Sequence, residues 1–268
     1  MDFVDKSFNS TECIKYRLSI QISLNGFSFC IFDTETQKHV MLKSYPYSAS
    51  ITDYNSFAKE VGSLLNNIPV SNIPVKCLFI THKNTLIPDE IFSEKKIRSF
   101  MSFLFPLEEL DEIHYNYIPS VKGYCGCIIP SPVAAEIGVR FHGVKFYSQA
   151  YLSVQQTLSK AEATKLRVIF CPNFIDISVV KDNVLILNNS FEISDIKDAV
   201  YFISALINKF ELKDSPIYLA GDISLTEVKN LKNYFPALIQ EQNKRIALLF
   251  GHEISLNHYN LLSLHECE

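Results

Sequence analysis

Tryptophan is absent from the chain and glycine is scarce, with eight in 268 residues, under half the usual share of about 7%. Few glycines leave few places where a backbone takes φ > 0 cheaply or presses against a phosphate. Such a chain is poorly supplied for a glycine-rich nucleotide cradle. Charge is also sparse, at 20% of residues against 47% hydrophobic, with a net charge of −4 and a pI of about 6.0. No basic stripe stands out, so nucleic acid is not an expected partner. No run approaches the ~18 apolar residues of a membrane span. The opening segment, Met1–Ser10, is polar and acidic and lacks the apolar core of a signal peptide.

What is present is apolar and aromatic: 20 Phe and 13 Tyr, with a mean hydropathy of +0.09. That supply can fill a core, which excludes a disordered chain. The length suits one large domain or two smaller ones packed together. The seven cysteines are odd in number, and Cys30, Cys77 and Cys171 sit inside apolar strand-like runs. They read as small core hydrophobes in a reduced, cytoplasmic protein.

Leu18, Ile20, Ile22 and Leu24 alternate with polar neighbours, which predicts a strand. Asn25-Gly26 signals a hairpin, because both residues accept φ > 0. Strands follow at Phe27–Asp33 and Lys38–Tyr45. Thr52 or Asp53 caps a helix carrying Phe57, Val61, Leu64, Leu65 and Ile68 on one face. Val75–Thr81 reads as a buried strand. The order then changes. Pro88–Phe105 reads as helical, Glu112–Ile118 and Tyr124–Ile129 as strands, Pro132–Arg140 as a helix, Val144–Tyr147 as a strand and Leu152–Ala163 as a helix. The first order then returns: strands at Leu166–Cys171, Phe174–Val180 and Val184–Phe191, a helix capped by Ser194, and a buried strand at Pro216–Ala220. Thr226–Tyr234 reads as a helix, Leu238–Gln240 as an edge strand and Asn257–Leu264 as a terminal helix.

Three strands, a crossover helix and a parallel fourth strand, used twice, resemble the actin, sugar-kinase and Hsp70-type chaperone superfamily. The whole chain is also similar to an uncharacterised Bacteroidetes family of unknown function with an actin-like ATPase fold. Leu18–Asp33, Val168–Phe191, Ile217–Asp222 and Leu261–Cys267 carry that similarity. It implies an α/β protein of two tandem actin-like (ribonuclease H-like) halves, each with a mixed five-stranded-type sheet and helices. Residues 14–163 would form the first half and 164–268 the second. A small α+β subdomain would be inserted at about 86–129.

In the active members of the superfamily, nucleotide sits between the halves. If nucleotide binds here, the resemblance places it on Asn25, Gly26, Asp176, Gly221 and Asp222. The residues around those positions depart from the pattern. No carboxylate precedes Asn25-Gly26. The second hairpin reads Cys171-Pro172-Asn173-Phe174, where Pro172 removes a donor and Phe174 crowds a phosphate. No glycine lies between Gly143 and Gly221, an interval that contains that hairpin. The expectation is therefore a non-catalytic binding or assembly module with a degenerate nucleotide site, no catalytic residue and no cofactor. A protein or peptide partner would dock on its inserted segment. The alternative is a divergent ATPase or kinase using ATP and Mg²⁺.

Other constellations are weaker. Cys125-Gly126-Cys127 is too closely spaced for the usual zinc pair, and buried thiols are the expectation. His252, His258 and His265 lack the spacing of paired metal ligands. The acidic residues from Asp89 to Glu112, Asp111 included, read as a solvated helical face.

Overall fold

The computed structural model describes residues 2–48 and 51–266, so Cys267 lies outside the described residues. The first part runs β1 (Asp2–Val4), β2 (Tyr16–Ile22), β3 (Gly26–Asp33), β4 (Lys38–Pro46), α1 (Tyr54–Leu65) and β5 (Val75–Phe79). Next come β6 (Asn84–Pro88), α2 (Ile97–Leu104), β7 (Asp111–Ile118), β8 (Gly123–Pro130), α3 (Ser131–Arg140), β9 (Lys145–Ser148) and α4 (Gln149–Leu158). The remainder is β10 (Lys165–Cys171), β11 (Phe174–Lys181), β12 (Val184–Glu192), α5 (Ile196–Phe210), β13 (Ile217–Gly221), α6 (Leu225–Tyr234) and β14 (Leu238–Gln240). Three short helices close it, α7 (Lys244–Phe250), α8 (His252–Asn257) and α9 (Tyr259–Ser263).

The strands form three sheets, ordered β1-β4-β3-β2-β5-β9, β12-β11-β10-β13-β14 and β6-β8-β7. In the first, β2 pairs antiparallel with β3 and parallel with β5. In the second, β10 pairs antiparallel with β11 and parallel with β13. The series β4-β3-β2-β5 is thus matched by β12-β11-β10-β13. The first sheet has six strands rather than five, because β1 adds to β4. The third sheet is antiparallel throughout and comes from the chain between β5 and β9.

Alternation decides which face is buried. Leu18, Ile20 and Ile22 enter a core with Phe57, Val61 and Leu65 of α1 and Val133 and Ile137 of α3. Gln21, Ser28 and Ser44 form one cross-strand row on the opposite face. The second core joins Leu166, Val168, Ile175 and Ile177 to Ala199, Ile203 and Leu206 of α5. Each fully buried Leu, Ile or Phe contributes about 1.5–3 kcal/mol. A helix cap contributes about 1 kcal/mol, so the core faces set the architecture and caps set the helix starts. Asp53 caps α1 in a capping box with Ser56. Asp195, rather than Ser194, caps α5, because its side chain reaches the Lys197 and Asp198 amides.

Helix α4 lies between the two larger sheets and is buried nearly all round. Ala150, Tyr151, Leu152 and Val154 share a core with Leu78 and Tyr147 of the first sheet and Ile169 and Phe174 of the second. The closing helices also touch both. Leu256 joins the second core, whereas Leu261 and Leu262 pack on Cys30 and Leu42. The expected single terminal helix is broken at His258, and α7 precedes it.

Pro88–Phe105 is not one helix. It divides into the end of β6, a 3-10 turn and α2. The β2–β3 hairpin exists, but neither Asn25 nor Gly26 has positive φ. Its loop is Ser23–Asn25, closed by the Ser23 amide donating to the Gly26 carbonyl at 3.0 Å. Gly26 begins β3, where a Cβ would lie 2.7 Å from the Tyr45 carbonyl oxygen. The turn with two positive φ values is Asp182-Asn183, between β11 and β12.

Candidate functional site: a polar cleft between two sheets

The polar row of the first sheet forms one wall of a cleft of about 350 Å³. Asn257, His258 and Asn260 of the closing helices line it, with Gly221-Asp222 at the end of β13 and Phe170-Cys171-Pro172 at the end of β10. The ends of β2 and β10, which occupy matching places in the two larger sheets, therefore both border it. Among the described residues no lysine or arginine lines the cleft, and Asp222 is its only carboxylate.

Four of the five residues expected around a nucleotide, Asn25, Gly26, Gly221 and Asp222, border this cleft. The Asn25 amide donates to Asp222 across it at 3.5 Å. Gly221 adopts φ +104° at the close of β13. The Asn257 amide nitrogen, in the orientation that satisfies its surroundings, donates to the carbonyls of Gly221 (2.9 Å) and Ile223 (3.1 Å). That contact fixes the turn which presents Asp222.

Asp176 does not line the cleft and is fully buried. Asn188 donates to it at 2.9 Å, Ser190 at 3.1 Å and Gln149 at 3.5 Å. Burial pushes its carboxyl up to about 6, and these hydrogen bonds oppose the shift. The network extends further. Gln149 donates to the Thr81 carbonyl at 2.7 Å, and Asn84 of β6 donates to Ser190 at 3.2 Å. Asp176 is thus a buried junction linking the second sheet to α4, the end of the first sheet and the third sheet.

A second, more apolar recess of about 260 Å³ adjoins the cleft and shares Ser23, Ile80 and Pro172 with it. Leu24, Tyr54, Phe57, Ile128 and Phe174 line it. Phe174, which would crowd a phosphate, instead walls this recess. Asp111 is not part of a solvated face. It begins β7, is buried, accepts from Tyr54 Oη at 3.0 Å and lies 3.6 Å from Lys83 Nζ. A sequence reading misses the recess because its wall comes from α1, β8 and the β10–β11 turn, far apart in the chain.

The remaining candidates have structural explanations. Cys125 and Cys127 are buried, unpaired thiols. Burial raises the first to about 12 and the second well above its usual value, which disfavours a nucleophilic thiolate. Among the described residues no group of three His, Cys, Asp or Glu side chains could hold a metal ion. His258 borders the cleft, but its Nδ1 donates to the Ile254 carbonyl at 3.0 Å. His265 stacks on Phe32 with ring centroids 3.8 Å apart. No helix among the described residues is long and apolar enough to cross a membrane.

Comparison with solved structures places this architecture in a class. A Bacteroides thetaiotaomicron protein with an actin-like ATPase fold and unknown function superposes with a TM-score of 0.82 at 20% identity, over 97% of this chain and 99% of that one. A chain of the PilM–PilN type IV pilus biogenesis complex gives 0.61 at 11% identity, over 94% and 98%. The ethanolamine utilization protein EutJ from Carboxydothermus hydrogenoformans gives 0.50 at 9% identity, over 93% and 89%. The fold is therefore a mixed α/β fold of the actin-like ATPase kind. Within it, the chain belongs to the DUF3822 family of proteins of unknown function, whose profile matches residues 5–238. No curated protein shows significant similarity to the sequence.

Proposed function

We propose that the protein is a non-catalytic actin-like binding or assembly module whose nucleotide site has lost its phosphate chemistry. In this reading the two larger sheets belong to tandem halves, residues 14–163 and 164–268. The third sheet is the insertion, at about 86–129. The observation that carries the proposal is the composition of the cleft. A triphosphate brings several negative charges, and such sites hold them with cations, metal-binding carboxylates and aimed backbone N–H groups. Among the described residues no lysine or arginine lines the cleft, Asp222 adds like charge, and Pro172 supplies no N–H.

A protein or peptide partner would dock on the third sheet. An apolar groove lies there between Ile91 and α2, with Phe103 88% exposed and Ile91 61% exposed beside it. Exposed patches of this kind mark interaction sites. A chain of the same fold is found in the PilM–PilN assembly, which supports a binding role.

Isothermal titration with ATP and Mg²⁺ tests the reading, and no heat of binding is expected at millimolar ATP. Micromolar, metal-dependent binding would overturn it. One observation favours the alternative, a divergent ATPase or kinase: Asn25, Gly26, Gly221 and Asp222 border a single cleft. Asp222 would then be the cleft's only carboxylate for a metal among the described residues. Steady ATP turnover abolished by Asp222→Asn would support that reading.

A further inference from the structure

The two larger sheets end differently at matching edges. Their strands register on each other in two ways. Leu18 of β2 faces Ile31 of β3, and Leu166 of β10 faces Val179 of β11. One step on, each outer strand carries a bulge at the same place, with Val40 as the extra residue of β4 and Ile186 as that of β12. Met41, Leu42 and Lys43 therefore correspond to Leu187, Asn188 and Asn189. In the first sheet those three residues take β1, antiparallel, and the Val40 carbonyl accepts from the Asp5 amide at 2.8 Å. In the second sheet β12 is the edge and pairs, among the described residues, with β11 alone.

A bare edge presents a row of N–H and C=O groups and templates a further strand, unless Lys, Pro or a bulge blunts it. Val184–Phe191 contains no charged residue, proline or glycine. Its bulge at Ile186 is no bar, because β1 docks beside the equivalent bulge at Val40. Val184, Ile186 and Asn189 are exposed along it. Charge then selects the occupant. β1 brings Asp2 opposite Lys43, with the carboxylate 3.8 Å from Nζ. Asn189 stands where Lys43 does, so the β12 edge calls for a strand without charge. β12 is itself such a strand. Antiparallel pairing of β12 with its own copy about a two-fold axis is isologous and closes both edges at once.

We propose that two copies of the chain associate through β12, which joins their five-stranded sheets into one across a two-fold axis. A single strand pair buries less than the ~1,200–2,000 Å² of a stable interface, so the dimer is reversible and concentration-dependent. This edge is separate from the groove beside α2, and the inference does not depend on the partner proposed there.

Sedimentation velocity of the full chain from about 1 µM to about 300 µM tests it. A monomer–dimer equilibrium is expected, with amide hydrogen exchange at residues 184–189 slowing as the dimer fills. Asn189→Lys sets like charges against each other across the axis and should weaken the dimer about tenfold or more. Asn189→Asp should do the same, and an equimolar mixture of the two variants should restore dimerisation. Asn189 is exposed, so both variants should unfold in urea within about 0.5 kcal/mol of the wild-type monomer. A monomer throughout the range would overturn the inference, leaving the edge to a different chain and the binding-module reading intact. A dimer that both folded variants leave unchanged, or exchange at 184–189 that does not vary with concentration, would place the contact elsewhere and also overturn it.

Discussion

Gly221 lies so close to Phe170 that a Cβ on it would sit 2.1 Å from the Phe170 carbonyl oxygen. That carbonyl is already fixed, because the Asp222 amide donates to it at 2.9 Å. The glycine is therefore needed to bring the end of β13 against the end of β10, whatever the cleft holds. Gly221→Ala combines a disfavoured backbone conformation, about 1–3 kcal/mol, with overpacking of about 1–3 kcal/mol. Chemical denaturation should show a loss of about 2–6 kcal/mol or failure to fold. A loss below about 1 kcal/mol would mean that the strand ends are not packed this tightly.

Arg167 supplies the second prediction. It is fully buried on β10, 2.9 Å from Glu241, which also lies 2.7 Å from Lys160. The contacts are ionic rather than well-aligned hydrogen bonds, and the Tyr259 ring centroid is 5.5 Å from the guanidinium. Removing one member of a buried pair leaves an uncompensated charge and costs about 3–5 kcal/mol. Glu241→Ala should lose that amount in urea unfolding, and Arg167→Met with Glu241→Leu should recover most of it. If the double variant is no better than the single one, the pair contributes more than mutual neutralisation.

Met101 and Phe103, two positions apart, should behave in opposite ways. Both are apolar residues of α2. Met101 is fully buried against Gly126, Ile87 and Ile128, whereas Phe103 is 88% exposed. Met101→Ala should cost about 2–5 kcal/mol, and Phe103→Ala should stay within about 0.5 kcal/mol. Thermal melts of the two variants would check the orientation of the helix, and with it the exposure of the groove proposed for a partner.

These contrasts show what a linear reading captures. Leu18, Ile20 and Ile22 predict their strand because period-two burial is local, and Phe57, Val61 and Leu65 predict α1 for the same reason. The place of the first hairpin was legible in Asn25-Gly26, but its backbone was not, because Gly26 is demanded by Tyr45, nineteen positions away. Strand β1 escapes the reading because three residues carry no period and gain their structure from pairing with residues 41–43. Asp111 sits in an acidic run that looks solvated, yet Tyr54 and Lys83 reach it from distant elements. Four of the five candidate cleft residues were legible from the resemblance. Asp176 was not, because its position inside β11 turns its side chain toward α4 rather than the strand end.

Asp176 makes the last prediction one about pH. An aspartate titrates near about 3.9 in an unfolded chain, whereas burial holds Asp176 up at about 6 when folded. Between these values the folded protein binds more protons than the unfolded one. The contribution of this group to stability is therefore full below about pH 4 and is lost as pH rises through about 6. Its size is on the order of 3 kcal/mol. Arg167, Cys125 and Cys171 also feel this charge, but the two thiols are held neutral by burial. His39 runs the other way. Burial, and secondarily His265, lower it to about 4, so its contribution is present at neutral pH and lost as pH falls through that value. The two effects overlap in the wild type, and a single pH profile would not separate them. Asp176→Asn removes only the first. Subtracting its urea-unfolding free energies from those of the wild type between about pH 4 and pH 7 should give a difference that declines as pH rises and then levels off. Parallel profiles across that range would show that the carboxyl does not titrate there, and that the junction of the three sheets holds its charge at lower cost than its burial implies.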